Sequence, residues 1–309
     1  MSDHAGTRDT TKPCGGFLSI GNFDGVHLGH QAILAQLKER AGAANVSATV
    51  MTFDPHPVAL LAPKRVPPRV TTTEQKVQLL HQYGADEVIV YPTSPELLSM
   101  TPEEFFSSIV REQVGACGMV EGPNFFFGRD RTGNVDTLRQ LCEAAGLTLV
   151  IVEAKSLGDT TVSSSSIRAA LLEGRVEEAA RRLDRPYAIT GVVGTGAQRG
   201  RELGFPTANL THVATLLPAE GVYGGRCQMA GTAFLAAIHI GANPTFDDAE
   251  RKVEVHLLDF DGDLYGQTLT VEFLQRIRGT QTFPDVDQLR DQLLTDIARI
   301  RATSTGERP

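Results

Sequence analysis

The stretch "SIGNFDGVHLGHQAIL", residues 19–34, carries two histidines three apart, His27 and His30, behind a run of bare backbone. Gly21, Gly25 and Gly29 punctuate it, with Phe23 and Asp24 between the first two. Apolar residues before it and helical spacing after it predict a strand that turns into a helix. A helix N-terminus offers unsatisfied N–H groups and a positive dipole end to an anion. Residues three apart on a starting helix share a face, so both imidazoles can donate to one oxyanion without full positive charge at rest. Each charge–dipole contact is worth only about 0.3–1 kcal/mol at a surface, so the side chains must add specificity. The chemistry predicted is the handling of phosphate.

A second segment, "GTGAQRGRELGFPTANL" at 194–210, holds Gly194, Gly196, Gly200 and Gly204, with Arg199 and Arg201 among them. Glycines this dense let a main chain close around phosphate oxygens. Thr207 and Asn209 are two apart and point to one side of an extended segment. A hydroxyl and an amide oxygen suit Mg²⁺ held jointly with ATP oxygens. Read alone, the segment is equally a turn-rich loop of a small barrel.

The elements that must position these residues alternate over the first 180 or so positions. "GFLSI", "VSATVMTF", "DEVIVYP" and "LTLVIVEA" read as strands, and amphipathic helical segments separate them. One helix opens on Thr101, Pro102 and Glu104, a capping box with proline at its first position. Continuously apolar strands alternating with helices predict a parallel sheet covered on both faces. After "VEEAARRLDRPYAITG" the helical rhythm stops, and "YAITGVV", "GVYGGRCQM", "AFLAAIHIG", "KVEVHLLDF" and "TLTVEFL" predict a small antiparallel barrel. Asp261–Gly262 reads as a hairpin turn between the last two. A final helix, with Leu289, Leu293, Ile297 and Ile300 on one face, is expected to pack on the barrel. The domains expected are thus a loose tail over 1–15, an α/β domain over 16–185 and a barrel domain over 186–309.

Composition narrows the partners. The 309 residues carry a net charge of −8, without the basic footprint of a nucleic-acid binder. No run of about 18 apolar residues suggests a membrane span. The four cysteines, Cys14, Cys117, Cys142 and Cys227, form no C-x-x-C pair and read as free thiols in a reducing compartment. The expectation is a cytoplasmic protein with small-molecule substrates, monomeric or weakly self-associating, with no nucleic acid or membrane partner.

His27 and His30 form an H-x-G-H string, and "GNFDGVHLGH", "TFDPHP", "NFFFGRDRTGN" and "SSSSIR" follow in an order that resembles the adenylyltransferase module of prokaryotic bifunctional riboflavin kinase/FAD synthetases. The glycine segment, "GANPTF" and "VEVHLLDFDGDLYG" resemble the riboflavin kinase module of the same enzymes. The resemblance runs from about Phe17 onward. It implies a nucleotidyltransferase-like Rossmann domain followed by a riboflavin kinase-like barrel with a C-terminal helix. It implies ATP-dependent phosphorylation of riboflavin to FMN, then transfer of AMP to FMN, giving FAD and pyrophosphate. By the resemblance His27 and His30 face the ATP phosphates, while Gly21, Phe23, Asp24 and Asn124 line the nucleotide site. Ser164, Ser165 and Arg168 close over phosphates, although Ser is itself a natural helix cap. Gly196, Arg199, Gly200 and Gly204 cradle the second ATP, Thr207 and Asn209 hold Mg²⁺, and Glu254 is the base for the ribityl 5′-hydroxyl. The chain departs from the family at Ser165, where threonine is usual, at Ser166, where the residue is often basic, and at Thr195 and Gln198 in the glycine loop. Two other readings stand beside this one. The first is an FAD synthetase whose barrel only binds flavin. The second is an RNA-interacting relative of class I tRNA synthetases, which share H-x-G-H but carry a lysine-rich loop where this chain has "SSSSIR".

Overall fold

The computed structural model describes residues 16–195, 204–229, 231–243 and 248–304. The tail expected over 1–15 lies outside them. Main-chain contacts divide the chain into two compact units: one runs to Pro67 and resumes over Thr73–Val162, the other comprises Pro68–Thr72 and the chain from Ser163.

The first unit is a five-stranded parallel sheet of β1 (Gly16–Ile20), β2 (Ser47–Asp54), β3 (Glu87–Pro92), β4 (Gly118–Glu121) and β5 (Thr148–Ile151), in the order β3-β2-β1-β4-β5. Its helices are α1 (Leu28–Ala44), α2 (Val58–Leu61), α3 (Thr73–Gln82), α4 (Pro95–Ser99), α5 (Pro102–Phe105) and α6 (Val135–Ala145). The capping box expected at Thr101 and Glu104 opens α5, which continues as a π-helix over Phe106–Gln113. A two-residue ribbon, β6 (Ser156–Leu157) with β7 (Thr160–Thr161), follows β5. Neighbouring strand residues fall on opposite sides of the sheet. Phe17 and Val50 join one core with Leu34, Leu37 and Leu80, whereas Leu18 and Met51 join another with Ile109 and Leu138. Two covered faces explain why these strands read as continuously apolar. The chain leaves β1 for β2 and β3 on one side and returns for β4 and β5 on the other. The switch point, where such sheets bind ligands, therefore lies between the carboxyl ends of β1 and β4.

The second unit begins with α7 (Ser164–Leu172) and α8 (Val176–Leu183). A closed antiparallel barrel follows, made of β8 (Tyr187–Gly194), β9 (Ala208–Thr211), β10 (Gly221–Met229), β11 (Thr232–Asn243), β12 (Asp248–Leu257) and β13 (Thr268–Arg278). Strand order is β10-β11-β12-β9-β8-β13, and β13 closes onto β10. Helix α9 (Val286–Ser304) lays Ile300 and Ile297 against Val222 and Ile277 on the barrel exterior. The hairpin expected at Asp261–Gly262 does not form. β12 pairs with β11 and β9, β13 pairs with β10 and β8, and the two are not neighbours. The intervening loop is instead tied by the Asp263 carboxylate, which accepts from the Tyr265 N–H at 2.9 Å, and by Asp259 with Arg301 at 2.7 Å. The loss of helical rhythm near residue 185 marks the first barrel strand, whereas the contact division falls at 162/163. The difference arises because Ile167, Leu171, Val176 and Leu183 of α7 and α8 share one core with Tyr187, Ile238 and Phe273 of the barrel.

Candidate active sites

In the first unit, the chain leaving β1 is pinned at each step. The Gly21 N–H donates to Met51 O at 3.0 Å, and the Thr52 hydroxyl donates to Asn22 O at 3.1 Å. Phe23, Gly25 and Val26 take positive φ angles of 48°, 84° and 40°. For a β-branched residue such as Val26 that conformation is strained and persists only where its surroundings over-determine it. The Val26 carbonyl accepts from Gln31 Nε2 at 2.9 Å, and both Phe23 and Val26 are sealed in the core. The strain is the local means of aiming His27 at the mouth of α1.

His27 is the N-cap of α1, its side chain only 6% exposed, and its Nδ1 accepts from the His30 N–H at 3.4 Å. An accepting Nδ1 carries no proton, so the His27 proton sits on Nε2. The two rings stack with centroids 3.6 Å apart, and Phe23 meets the His30 ring edge-on at 5.0 Å. A Cβ at Gly29 would come within 3.1 Å of the His27 ring, so the glycine makes room for the stack. Burial, His27 and then Lys76 hold the His30 imidazole well below its ordinary pKa. Its Nδ1 is buried with no hydrogen-bond partner among the described residues. Buried polar atoms are rarely left so, and this one fits a ligand oxygen.

Asp24 is half-buried in the same loop, and Asn124 is exposed on the turn after β4, beyond the switch point. Two residues of this region escaped the sequence reading. Lys76, 8% exposed on α3, sits on the helix face of Leu79 and Leu80, a spacing that could have flagged it. Glu121, 2% exposed, ends β4 and accepts the Ile20 N–H at 2.8 Å, and burial pushes its pKa well up. The only signal was an acid closing the apolar "GMVE". His56 shapes its loop: its Nδ1 accepts from the Val58 N–H at 3.1 Å.

Within the second unit, Ser163 caps α7 and Ser166 reciprocates, a complete capping box. Ser164 and Ser165 occupy the first turn, and Arg168 Nε donates to Pro68 O at 2.8 Å. Gly196, Arg199 and Gly200 lie outside the described residues, as does Gln198. Gly204 is described and takes φ 85°, a conformation suited to glycine. After it, Phe205 meets the His256 ring edge-on at 5.7 Å, and His256 Nδ1 lies 2.8 Å from Pro206 O. These contacts tether Thr207 to β12. Asn209 of β9 stands opposite Glu254 of β12, which stands opposite His239 of β11. Thr207 directly precedes β9, two residues from Asn209. A hydroxyl and an amide oxygen are donors a hard cation takes, so Thr207 and Asn209 fit Mg²⁺.

A parallel sheet with paired imidazoles at its switch point, joined to a closed barrel carrying an oxygen-donor row, defines a two-domain transferase class acting on nucleoside triphosphates. The family profile "FAD synthetase" matches residues 9–166, and "Riboflavin kinase" matches residues 183–304. The chain belongs to the bifunctional riboflavin kinase/FMN adenylyltransferase family. It is 37% identical to the member from Pseudomonas fluorescens, covering 92% of this chain and 91% of that one. It is 33% identical to the member from Escherichia coli K12, covering 90% of each. A solved structure described as a macrolide-efflux protein from Streptococcus pneumoniae superimposes with a TM-score of 0.85 at 32% identity, over 95% of this chain and 96% of that one. Among the described residues of this chain, no helix is long and apolar enough to cross a membrane.

Proposed function

We propose that this chain phosphorylates riboflavin with the barrel row and adenylylates FMN at the β1–α1 turn. In the first reaction Glu254 accepts the proton of the ribityl 5′-hydroxyl as that oxygen attacks the γ-phosphorus of ATP, and ADP leaves. Thr207 and Asn209 would hold Mg²⁺, which supplies charge neutralisation on the phosphates when bound. Gly196, Arg199, Gly200 and Gly204 belong to the loop assigned to ATP.

In the second reaction a phosphate oxygen of FMN attacks the α-phosphorus of ATP and pyrophosphate departs, with no covalent enzyme intermediate. His27 and His30 are assigned to the phosphate oxygens, where imidazoles add hydrogen bonds as charge spreads in the transition state. Gly21, Phe23, Asp24 and Asn124 are assigned to the nucleotide, and Ser164, Ser165 and Arg168 to phosphate. Arg168 brings a permanent, forked charge suited to that task. We place the protein in the cytoplasm, as a monomer or weak homo-oligomer without nucleic-acid or membrane partners. The three free cysteines among the described residues, Cys117, Cys142 and Cys227, and the net charge of −8 support that placement.

The observation that carries the adenylylation site is the stacked imidazole pair with the buried, unpartnered Nδ1 of His30. Purified protein incubated with riboflavin, ATP and Mg²⁺, then resolved by chromatography, is expected to yield FMN first and FAD after it. FAD from supplied FMN, with no FMN from riboflavin, would reduce the barrel to a flavin-binding module.

A further inference from the structure

Lys76 lies near the start of α3 with only 8% of its surface exposed. Its place follows from how α3 runs along α1. Each helix joins two neighbouring parallel strands, α1 between β1 and β2 and α3 between β2 and β3. Both therefore start at the carboxyl edge of the sheet and run back. Toward their far ends they meet, since a Cβ on Gly84 would lie 2.9 Å from Lys38 Cδ. One turn nearer the start, Leu34 and Leu80 are sealed in a single core. One turn nearer still stand His30 and Lys76, each four residues before its leucine and on the same helix face.

The sheet edge holds the two helix starts to one strand. The Thr73 hydroxyl donates to Asp54 Oδ2 at 3.0 Å, and the Thr52 hydroxyl donates to Asn22 O at 3.1 Å, so α3 and the β1–α1 turn are both tied to β2. The Lys76 charge accordingly reaches the His30 ring. Together with burial and His27, the larger causes, it disfavours the imidazolium.

We propose that Lys76 binds the ATP phosphate seated at His30, its ammonium and the His30 Nδ1 meeting the same anion. This rests on reading the β1–α1 turn as the adenylylation site. The His30 Nδ1 is buried with no hydrogen-bond partner among the described residues. A cation beside that ring repels a proton and attracts an anion. An uncharged imidazole gives a phosphate a hydrogen bond but no net charge, whereas the departing pyrophosphate gains negative charge in the transition state. Lysine supplies a compact point charge with three donors, and burial strengthens its field. Asp24 in the turn and Asp54 at the end of β2 are acids at this edge and repel phosphate. A buried ammonium offsets them.

The test uses the full chain with supplied FMN and follows FAD formation and its inhibition by pyrophosphate. Lys76→Met keeps length without charge, and Lys76→Arg keeps charge in another shape. In Lys76→Met, kcat/KM for ATP in adenylylation should fall about 10²-fold, as when one preorganised donor is removed. The pyrophosphate inhibition constant should rise about tenfold or more, the worth of a hydrogen bond to a charged group. A lysine that served only to pack α3 would leave that constant in place. Lys76→Arg should recover most of both effects, and riboflavin phosphorylation should not change in either variant. An unchanged inhibition constant in Lys76→Met overturns the proposal, whether or not kcat falls. Should Lys76→Met not fold, the wild type decides. Its Lys76 Nζ resonance, assigned by its loss in Lys76→Arg, should shift as pyrophosphate is added. A resonance that stays put when FAD formation is fully inhibited overturns the proposal. Failure of the underlying reading is distinct: His30→Ala would then form FAD at the wild-type rate whatever Lys76 does.

Discussion

At the β1–α1 turn the groups we assign to phosphate are two stacked rings, with Phe23 edge-on to His30 and the His30 imidazole held well below its ordinary pKa by burial. On the barrel, Glu254 stands between Asn209 and His239 with a fifth of its side chain open to water. The first region stores its readiness in backbone strain and desolvation, and the second in a register that lines up Asn209, Glu254 and His239 across three strands. The difference follows from the two reactions. Adenylyl transfer onto a phosphate has no hydroxyl proton to remove, so the protein supplies hydrogen bonds and geometry. Phosphorylation of a sugar-type hydroxyl does have such a proton, so a carboxylate must stay ionised and reachable.

The most direct way to break this comparison is Glu254→Gln, which removes a base while preserving shape. Riboflavin phosphorylation should drop about 10²–10⁴-fold, the usual span of general-base catalysis, while FMN supplied externally is still converted to FAD. Equal loss of both activities would show the two regions are not independent centres. His30→Ala is the mirror experiment. FAD formation should fall about 10²–10³-fold, the loss typical of one preorganised donor, and FMN should accumulate from riboflavin. Chromatographic resolution of the two flavins reads both variants.

A gentler change sharpens the geometric half of the contrast. Gly29→Ala places a methyl 3.1 Å from His27 Cε1, so the ring must give by a few tenths of an ångström. Because a 1 Å misplacement can cost about 10²-fold, a shift this small should lower kcat/KM for adenylylation about three- to tenfold. Kinase activity should not move. An unchanged adenylylation rate would mean the ring stack is not the working geometry.

What was legible beforehand depended on the range of each signal. The β1–α1 turn, the Thr101 capping box and the two-faced sheet are written in neighbouring residues, and they appear where spacing put them. Barrel pairing is not local. Asp261–Gly262 has good hairpin chemistry, yet β12 and β13 are separated in the barrel, because strand order answers to closure over the whole second unit. His239 illustrates the same limit in the site, since nothing in "AAIHIGAN" points at Glu254 until register pairs the two strands. Lys76 was recoverable from its spacing to Leu79 and Leu80, and Glu121 only from its place at a strand's end. The serine run allowed two readings, a cap and a phosphate contact, and the structure shows the cap, made by Ser163 and Ser166.

Glu121 carries the pH-dependent prediction. Its folded pKa stands above the ordinary 4.5 because burial penalises the carboxylate more than the Ile20 N–H favours it, with the Cys142 thiol nearby. Above that ordinary value the unfolded chain has released this proton and the folded chain still holds it. Stability from this group is therefore present below pH 4.5 and declines as pH rises toward the folded pKa, by at most about 1.4 kcal/mol per pH unit. Glu121→Gln keeps the neutral shape without the titration, so its stability relative to wild type should improve from pH 4.5 to pH 7 in denaturant unfolding. A flat difference would show that Glu121 is not held protonated.

The smallest effect separates scaffold from chemistry at the start of α7. Ser163 and Ser166 cap each other's backbone there, whereas Ser164 and Ser165 are assigned to phosphate. Ser163→Ala should remove about 1 kcal/mol of stability, the usual worth of such a cap. For a unit of this size that is about 2–4 °C in Tm, with FAD formation from FMN preserved below the transition. Ser165→Ala should do the reverse, leaving Tm within about a degree while raising KM for ATP in adenylylation, because the cap does not use it. If instead Ser163→Ala slowed adenylylation as much as Ser165→Ala, the four serines would act as one element. Helix order, not a hydroxyl aimed at phosphate, would then be what this turn contributes.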